Sequence, residues 1–254
     1  MQNDYVYNYF KKSIKVSTLI VGGKMKTKNI VIDNIPAIIW GKPSNKLYIH
    51  VHGKMSCKEN ARDFAEIAER KGYQTLSFDL PEHGERKNSN YRCDIWNGIK
   101  DLTAIGDYAF SNWNDISLFA CSLGVYFSLN TYTDRTFTKC LFQSPMLDME
   151  YMIRQMFQWY GVSEERLRIE KEISTPFDIL RWDYFCYVLQ NPIKKWDFPT
   201  SIIYGAKDNL QPIEVIKDFV DAHHCKLTVS ENSEHPFMQP EDFEIIFTWL
   251  EDNL

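Results

Sequence analysis

The chain has 254 residues, 44% of them hydrophobic and 25% charged, an ordinary globular composition that excludes a disordered or fibrous protein. Lys and Arg number 29 against 34 Asp and Glu, and this net charge of −5, with no basic run, argues against broad nucleic-acid binding. Rings make up 15% of the residues, more than a core of this size ordinarily needs, and large rings also line ligand cavities.

Six cysteines stand at 57, 93, 121, 140, 186 and 225, too far apart for a CxxC pair or a zinc ribbon. The first fifteen residues, MQNDYVYNYFKKSIK, show neither an apolar core nor a small-residue cleavage pattern. No apolar stretch approaches the roughly 18 residues that a membrane span requires. The expectation is a reduced, cytoplasmic protein with no membrane span; the oligomeric state is left open.

Residues 13–52 read as β-rich. Ile14, Val16 and Leu19-Ile20-Val21 lead to a Gly22-Gly23 turn, then to Ile30-Val31-Ile32, Ile38-Ile39-Trp40 and the continuous apolar run 47–51 of a buried strand. Strands and helices then alternate. Ser56 and Glu59 have capping-box spacing, and Ala61, Phe64, Ala65 and Ala68 form one apolar helix face that Gly72 closes. A strand over 73–78, a helix near 94–112, a strand over 116–120, a helix over 123–132 and a strand over 140–143 follow. Residues 146–197 interrupt this rhythm: they are rich in Met, Trp, Tyr and Phe, carry the helical stretch SEERLRIEKE, and show no obvious strand. The alternation resumes with a strand over 201–204, a helix over 213–222 behind Pro212, a strand over 226–229, and a last helix whose apolar positions are Phe243, Ile246, Phe247 and Leu250. Repeated strand–helix units predict an α/β fold, a mostly parallel sheet with helices on both faces. One domain over 1–254, with 146–197 inserted as a helical lid, fits this pattern.

The segment with most chemical content is DISLFACSLGVYFSL, residues 115–129. A buried strand ends at Ala120, and Cys121-Ser122-Leu123-Gly124 leads into an apolar helix. This is G-x-S-x-G with Ala120 in the first glycine position. A strand turning sharply into a helix needs small residues two before and two after the serine, and it lifts that serine clear of the sheet. A serine hydroxyl becomes nucleophilic only when a base takes its proton and a third group orients the base. Asp208 follows a strand end in AKDNLQP, and His235 precedes the last helix in ENSEHPF. Asp148, after the strand that follows the serine, is the alternative acid. Two other readings are structural: Cys121 as packing beside the nucleophile, and His50 as a hydrogen-bonded core residue. His223-His224-Cys225 could bind a metal, but adjacent residues at a helix end rarely converge on one ion.

In this order the chain resembles the α/β-hydrolase family, in particular small bacterial serine esterases with a helical lid. The resemblance covers roughly residues 30 to 254. Besides the serine turn it rests on His52-Gly53, on Asp79-Leu80-Pro81-Glu82-His83-Gly84, on Gly205-x-x-Asp208-x-x-x-Pro212 and on Glu234-His235. Ala120, and Glu82 where glycine is usual, depart from the pattern. The resemblance implies a triad of Ser122, His235 and Asp208, with an oxyanion hole from the backbone amides of Leu123 and Lys54. The Lys54 side chain is expected in solvent, with contact to an anionic substrate as the alternative. The resemblance also implies a structural turn role for His83 and no cofactor or metal. The ring-rich lid suggests a small ester with an apolar or aromatic acyl or alcohol group, which lid rings such as Trp159, Trp182 and Tyr184 would contact unless they form only the lid's own core. The same triad serves thioesters, amides and lactones, and some members of the fold bind ligands without turning them over.

Overall fold

The computed structural model describes residues 25–254, so the strand and turn expected over 14–23 lie outside the described residues. The chain enters the sheet through a hairpin, β1 (Thr27–Ile32) and β2 (Ile35–Trp40). Asp33 and Asn34 form its two-residue turn with φ of 47° and 66°, the left-handed conformation that matches the twist of the strands. Then come β3 (Lys46–Val51), α1 (Arg62–Arg70), β4 (Gln74–Phe78), α2 (Ile95–Asn112), β5 (Asp115–Cys121), α3 (Leu123–Thr131) and β6 (Cys140–Gln143). After the insertion the chain returns as β9 (Thr200–Gly205), α7 (Ile213–His223), β10 (Lys226–Ser230) and α8 (Asp242–Asn253).

The eight strands lie in the order β1-β2-β4-β3-β5-β6-β9-β10. Every pair from β4 to β10 is parallel, and β1 and β2 are antiparallel additions at one edge. The near-continuous apolar strands follow from burial on both faces. Leu47, Ile49 and Val51 of β3 and Ile116, Leu118 and Ala120 of β5 join a core with α2, α3 and α7. Tyr48 and Phe119 face the other way, onto α1 and α8. The chain leaves β3 toward β4 on one side and returns to β5 on the other, so the strand order reverses between β3 and β5. Loops diverge there and leave a crevice at the strand ends, where α/β sheets bind ligands.

The insertion comprises α4 (Met149–Tyr160), α5 (Glu164–Glu170), a small antiparallel hairpin of β7 (Glu172–Ser174) and β8 (Ile179–Arg181), and α6 (Trp182–Gln190). The hairpin corrects the expectation that 146–197 contains no strand; three-residue strands are too short to leave an alternation in the sequence. Met152, Ile153, Met156, Phe157, Leu167 and Phe185 of the insertion are buried in the same core as α2 and α3.

Two further local expectations fail. Ser56 does not cap a helix: residues Lys58–Ala61 form a 3-10 turn without a side-chain cap, and the Lys58 amide donates to Asp79 Oδ1 at 2.9 Å instead. On α8, Leu250 is buried as its position in the apolar pattern suggests, but Phe243 and Phe247 are 50% and 48% exposed and Trp249 buries beside Leu250 instead. The Arg70 guanidinium lies 5.8 Å from the Phe247 ring centroid.

Trp196, 1% exposed, ends the insertion. Its ring packs on Phe142 and Phe198 at 5.5 and 4.8 Å, and its Nε1–H donates to Thr200 Oγ1 at 2.9 Å, fixing where β9 begins. Trp196→Ala should lower the unfolding free energy by about 3–5 kcal/mol, through lost burial and the cavity left behind. A lower denaturant midpoint at constant m-value would show it.

Candidate active site

Four loops meet at the C-terminal ends of β3, β5, β9 and β10. Strand β5 delivers Ser122 in an unusual backbone conformation, φ 50° and ψ −119°, before α3 starts at Leu123. A non-glycine residue there is strained by about 1–3 kcal/mol and persists only where its surroundings over-determine it. They do: the Ser122 amide donates to the Gln143 carbonyl at 3.1 Å, and the Ser122 carbonyl accepts from Val125 and Met146 at 3.0 and 3.3 Å. A Cβ on Gly124 would lie 2.6 Å from the His52 carbonyl oxygen and 2.7 Å from that of Val51, so only glycine lets α3 approach β3. Ala120, at 0% exposed, fills the first small position of the turn.

Ser122 Oγ lies 2.8 Å from His235 Nε2, and His235 Nδ1 lies 2.7 Å from Asp208 Oδ2. With Nδ1 protonated against the carboxylate, Nε2 is left as the acceptor for the serine hydroxyl. The histidine and aspartate side chains are 9% and 1% exposed, so little water competes for these bonds. The other Asp208 oxygen accepts the amides of Leu210 and Gln211 at 2.8 and 3.3 Å, which closes the loop after β9. Gly205 has no room for a side chain, since a Cβ would meet the Ser233 carbonyl oxygen at 2.4 Å. The His235 loop is tied from two directions: Gln143 Nε2 donates to the Pro236 carbonyl at 2.8 Å, and Ser233 Oγ donates to the buried Asp242 at 2.5 Å.

Asp148 is not part of this chain of bonds. Its carboxylate accepts the Tyr151 amide at 2.8 Å and caps α4. Cys121 sits beside the serine, but burial, then the charge of Asp208, pushes its thiol up to about 12, so it stays protonated. His50 is buried and stacked on Phe119 at 4.7 Å. Its Nδ1 makes no hydrogen bond to a protein group among the described residues. Among the described residues no cluster of His, Cys, Asp and Glu could hold a metal ion. His223 rests on the Phe219 ring at 4.5 Å.

The turn after β3 forms the opposite wall. His52 Nδ1 bonds the Gly53 carbonyl at 2.7 Å, and its Nε2 accepts the Leu80 amide at 3.1 Å. His83 Nδ1 bonds the Pro81 carbonyl at 2.8 Å, and its Nε2 accepts the Met55 amide at 3.0 Å. Each ring is therefore neutral and bridges two segments of the wall. The Lys54 and Leu123 amides donate to no protein acceptor among the described residues. The Lys54 side chain is not simply solvated, as the sequence suggested: its ammonium pairs with Asp178 of the insertion and lies 5.6 Å from the Phe177 ring centroid.

Asp79 supports this wall and had no assigned role in the sequence. At 0% exposed, it accepts the Lys58 amide, the Lys58 ammonium and the Glu85 amide, at 2.9, 2.8 and 3.0 Å. Gln211, also 0% exposed, was missed as well. Its side-chain oxygen accepts the Leu147 and Asp148 amides at 3.0 and 2.7 Å, which fastens the Asp208 loop to the start of the insertion. Gln211 acts across a long sequence separation and no local pattern marks it; Asp79 opens the quoted turn, but its partner Lys58 is 21 residues away.

None of Trp159, Trp182 and Tyr184 has a ring contact or hydrogen bond with Ser122, His235 or Asp208. Trp159 is 43% exposed and meets Phe177 at 6.2 Å; Trp182 packs on Phe185, and Tyr184 on Trp96.

No protein-family model matches this sequence, and no curated protein does. Solved structures do match, at low identity. Est1E from Butyrivibrio proteoclasticus, with ferulic acid bound, is 19% identical, with a TM-score of 0.69 over 89% of this chain and 96% of that one. The Pyrococcus furiosus esterase Pf2001 is 17% identical, with a TM-score of 0.63 over 92% and 95%. Mouse alpha/beta hydrolase domain-containing protein 10 is 14% identical, with a TM-score of 0.71 over 89% and 97%. This is the α/β-hydrolase fold. Within that fold, among the described residues, no helix is long and apolar enough to cross a membrane.

Burial lowers the His52 pKa from an ordinary 6.5 to about 4, and that of His50 to about 3. The unfolded chain then binds these protons more readily than the folded one, so stability is intact above about 6.5 and falls as the pH drops toward the folded values. For His52 alone the loss reaches roughly 3 kcal/mol. His52→Gln should make the stability curve shallower between pH 6.5 and 4, measured by denaturant unfolding at each pH. An unchanged slope would mean that His52 is not the titrating group.

Proposed function

We propose that this protein is a serine hydrolase that cleaves small carboxylic esters through an acyl-enzyme. The observation that carries this reading is the chain of short bonds from Ser122 through His235 to Asp208, 2.8 and 2.7 Å, on a serine held at positive φ. As Ser122 Oγ attacks the ester carbonyl, His235 Nε2 takes its proton, and Asp208 stabilises the imidazolium that forms. The Leu123 and Lys54 amides receive the oxyanion; being fixed in advance, they reorganise little as the charge appears. The imidazolium then protonates the departing alkoxide. Water, deprotonated by the same ring, attacks the acyl-enzyme and releases the acid. His235 takes each proton from Ser122 or water and passes it on, to the leaving alkoxide in the first half and back to Ser122 Oγ as the acyl bond breaks in the second, so the cycle closes without a metal or cofactor.

The ring-rich insertion over 146–197 acts in this reading as a lid on a single domain and favours apolar or aromatic esters. The phenolic acid bound to Est1E points the same way. Thioester, amide and lactone hydrolysis use the same groups, and a panel of these substrates separates them.

Ser122→Ala should abolish labelling by a fluorophosphonate probe and lower turnover by several orders of magnitude while the fold persists. Labelling that survives the change would move the nucleophile elsewhere. Asp208→Asn should cost up to roughly four orders of magnitude in turnover with binding largely kept. Asp148→Asn should cost little, because that carboxylate caps a helix. Turnover of one activated ester by both variants decides between the two acids. Trp159→Ala and Trp182→Ala should alter relative rates among acyl chains more than stability. Uniform destabilisation with unchanged preference would make these rings part of the insertion's own core.

A further inference from the structure

The peptide on either side of the Lys54 amide is held by the body of the protein. The Gly53 carbonyl is taken by His52 at 2.7 Å, and the Met55 amide by His83 at 3.0 Å, with Met55 at φ 65°. The third hold comes from the insertion. Residues 175–178 form a closed turn at the tip of the β7–β8 hairpin. Within it Thr175 N donates to the Asp178 carbonyl at 2.9 Å, and Asp178 N to Thr175 Oγ1 at 3.0 Å. Asp178 Oδ1 accepts the Ile179 amide at 2.8 Å, which aims Oδ2 at the Lys54 ammonium, and the Phe177 ring flanks the same ammonium. The base of the hairpin is tied to the loop before α2 by Arg92–Glu172 at 2.5 Å and Arg181–Asp94 at 2.9 Å.

We propose that Asp178 is a positioning residue for the reaction: through the Lys54 side chain, the hairpin tip sets the Lys54 amide that receives the oxyanion. This rests on the serine-hydrolase reading above. Lys54 and Asp178 are 32% and 48% exposed at their side chains, so the hold is weak and salt-sensitive rather than a fixed strut. When the hairpin tip is seated the amide is set, and when it lifts the amide loosens. Docking of the insertion is thereby coupled to transition-state stabilisation rather than to ground-state binding.

The test compares the wild-type protein with Asp178→Asn, Lys54→Met, the double variant and Asp178→Glu. p-Nitrophenyl acetate is the substrate, because its acetyl group is small, and a fluorophosphonate probe reports the reactivity of Ser122. Asp178→Asn and Lys54→Met should each lower kcat and the labelling rate about two- to five-fold, with KM nearly unchanged. The double variant should lose no more than either single one, and Asp178→Glu should restore most of the loss. Raising salt to about 1 M should bring wild-type kcat down toward that of Asp178→Asn, while the variant stays flat. Wild-type kcat and labelling rate in Asp178→Asn, or losses that multiply in the double variant, would overturn the proposal. Wild-type protein that neither labels nor hydrolyses would instead remove the serine-hydrolase reading, and this inference with it.

Discussion

The site depends on how strand β5 is made to turn into α3. Ser122 sits at φ 50°, a conformation that an isolated chain would leave. Two features hold it there. Strand β5 lies between β3 and β6 and is buried along most of its length, so its end cannot move. Gly124 then lets the first turn of α3 lie against the carbonyls of Val51 and His52, where any side chain would collide. Strain at one residue is balanced against burial spread over a whole strand. The serine hydroxyl is presented at the crevice as a consequence of the sheet, not through flexibility of a loop.

The partners of Ser122 come from loops, yet these loops are as tightly held as the strands. Polar side chains, most of them buried, fasten them in pairs. Gln143 joins the serine turn to the His235 loop, and Gln211 joins the Asp208 loop to the start of the insertion. Asp242 closes the His235 loop on itself, and Asp79 clamps the turn that carries His83. A buried amide or carboxylate with all its bonds made is costly to disturb, because any movement strands a polar group without water. Such residues turn loop ends into a fixed frame, as catalysis by preorganised groups requires.

This frame also sets what could be read from the sequence. The parallel strands announce themselves as apolar runs because both of their faces are buried. The serine turn shows through its small residues because backbone contact leaves no alternative. Where burial is one-sided or the partner is distant, the sequence is mute or misleading. The Ser56–Glu59 spacing suggests a cap, but Asp79, 21 residues away, claims the amide first. Phe243 and Phe247 share a helical period with Leu250, but α8 turns Trp249 and Leu250 to the sheet and leaves the two phenylalanines half exposed. The β7–β8 hairpin is too short to register, and with it the link from Asp178 to Lys54 stays invisible. His235 and Asp208 could be placed because each follows a strand end, where geometry leaves few destinations.

The energetics of the insertion divide it into two parts. Helices α4 and α6 contribute Met152, Met156, Phe157, Phe185 and Val188 to the main core, and lifting them would expose these side chains at about 1.5–3 kcal/mol each. Ile173 and Leu180 anchor the base of the hairpin in the same way. The hairpin tip has no such anchor: Phe177 and Ile179 are 40% and 48% exposed, and the tip is held to the body by the Lys54–Asp178 ion pair and the Phe177 ring beside the same ammonium, worth up to about 1 kcal/mol each. The least costly motion at the mouth of the site is therefore that of the tip, with the helices behind it fixed. That motion leaves the bonds joining Ser122, His235 and Asp208 untouched and, in the proposed reading, acts on the oxyanion site through Lys54.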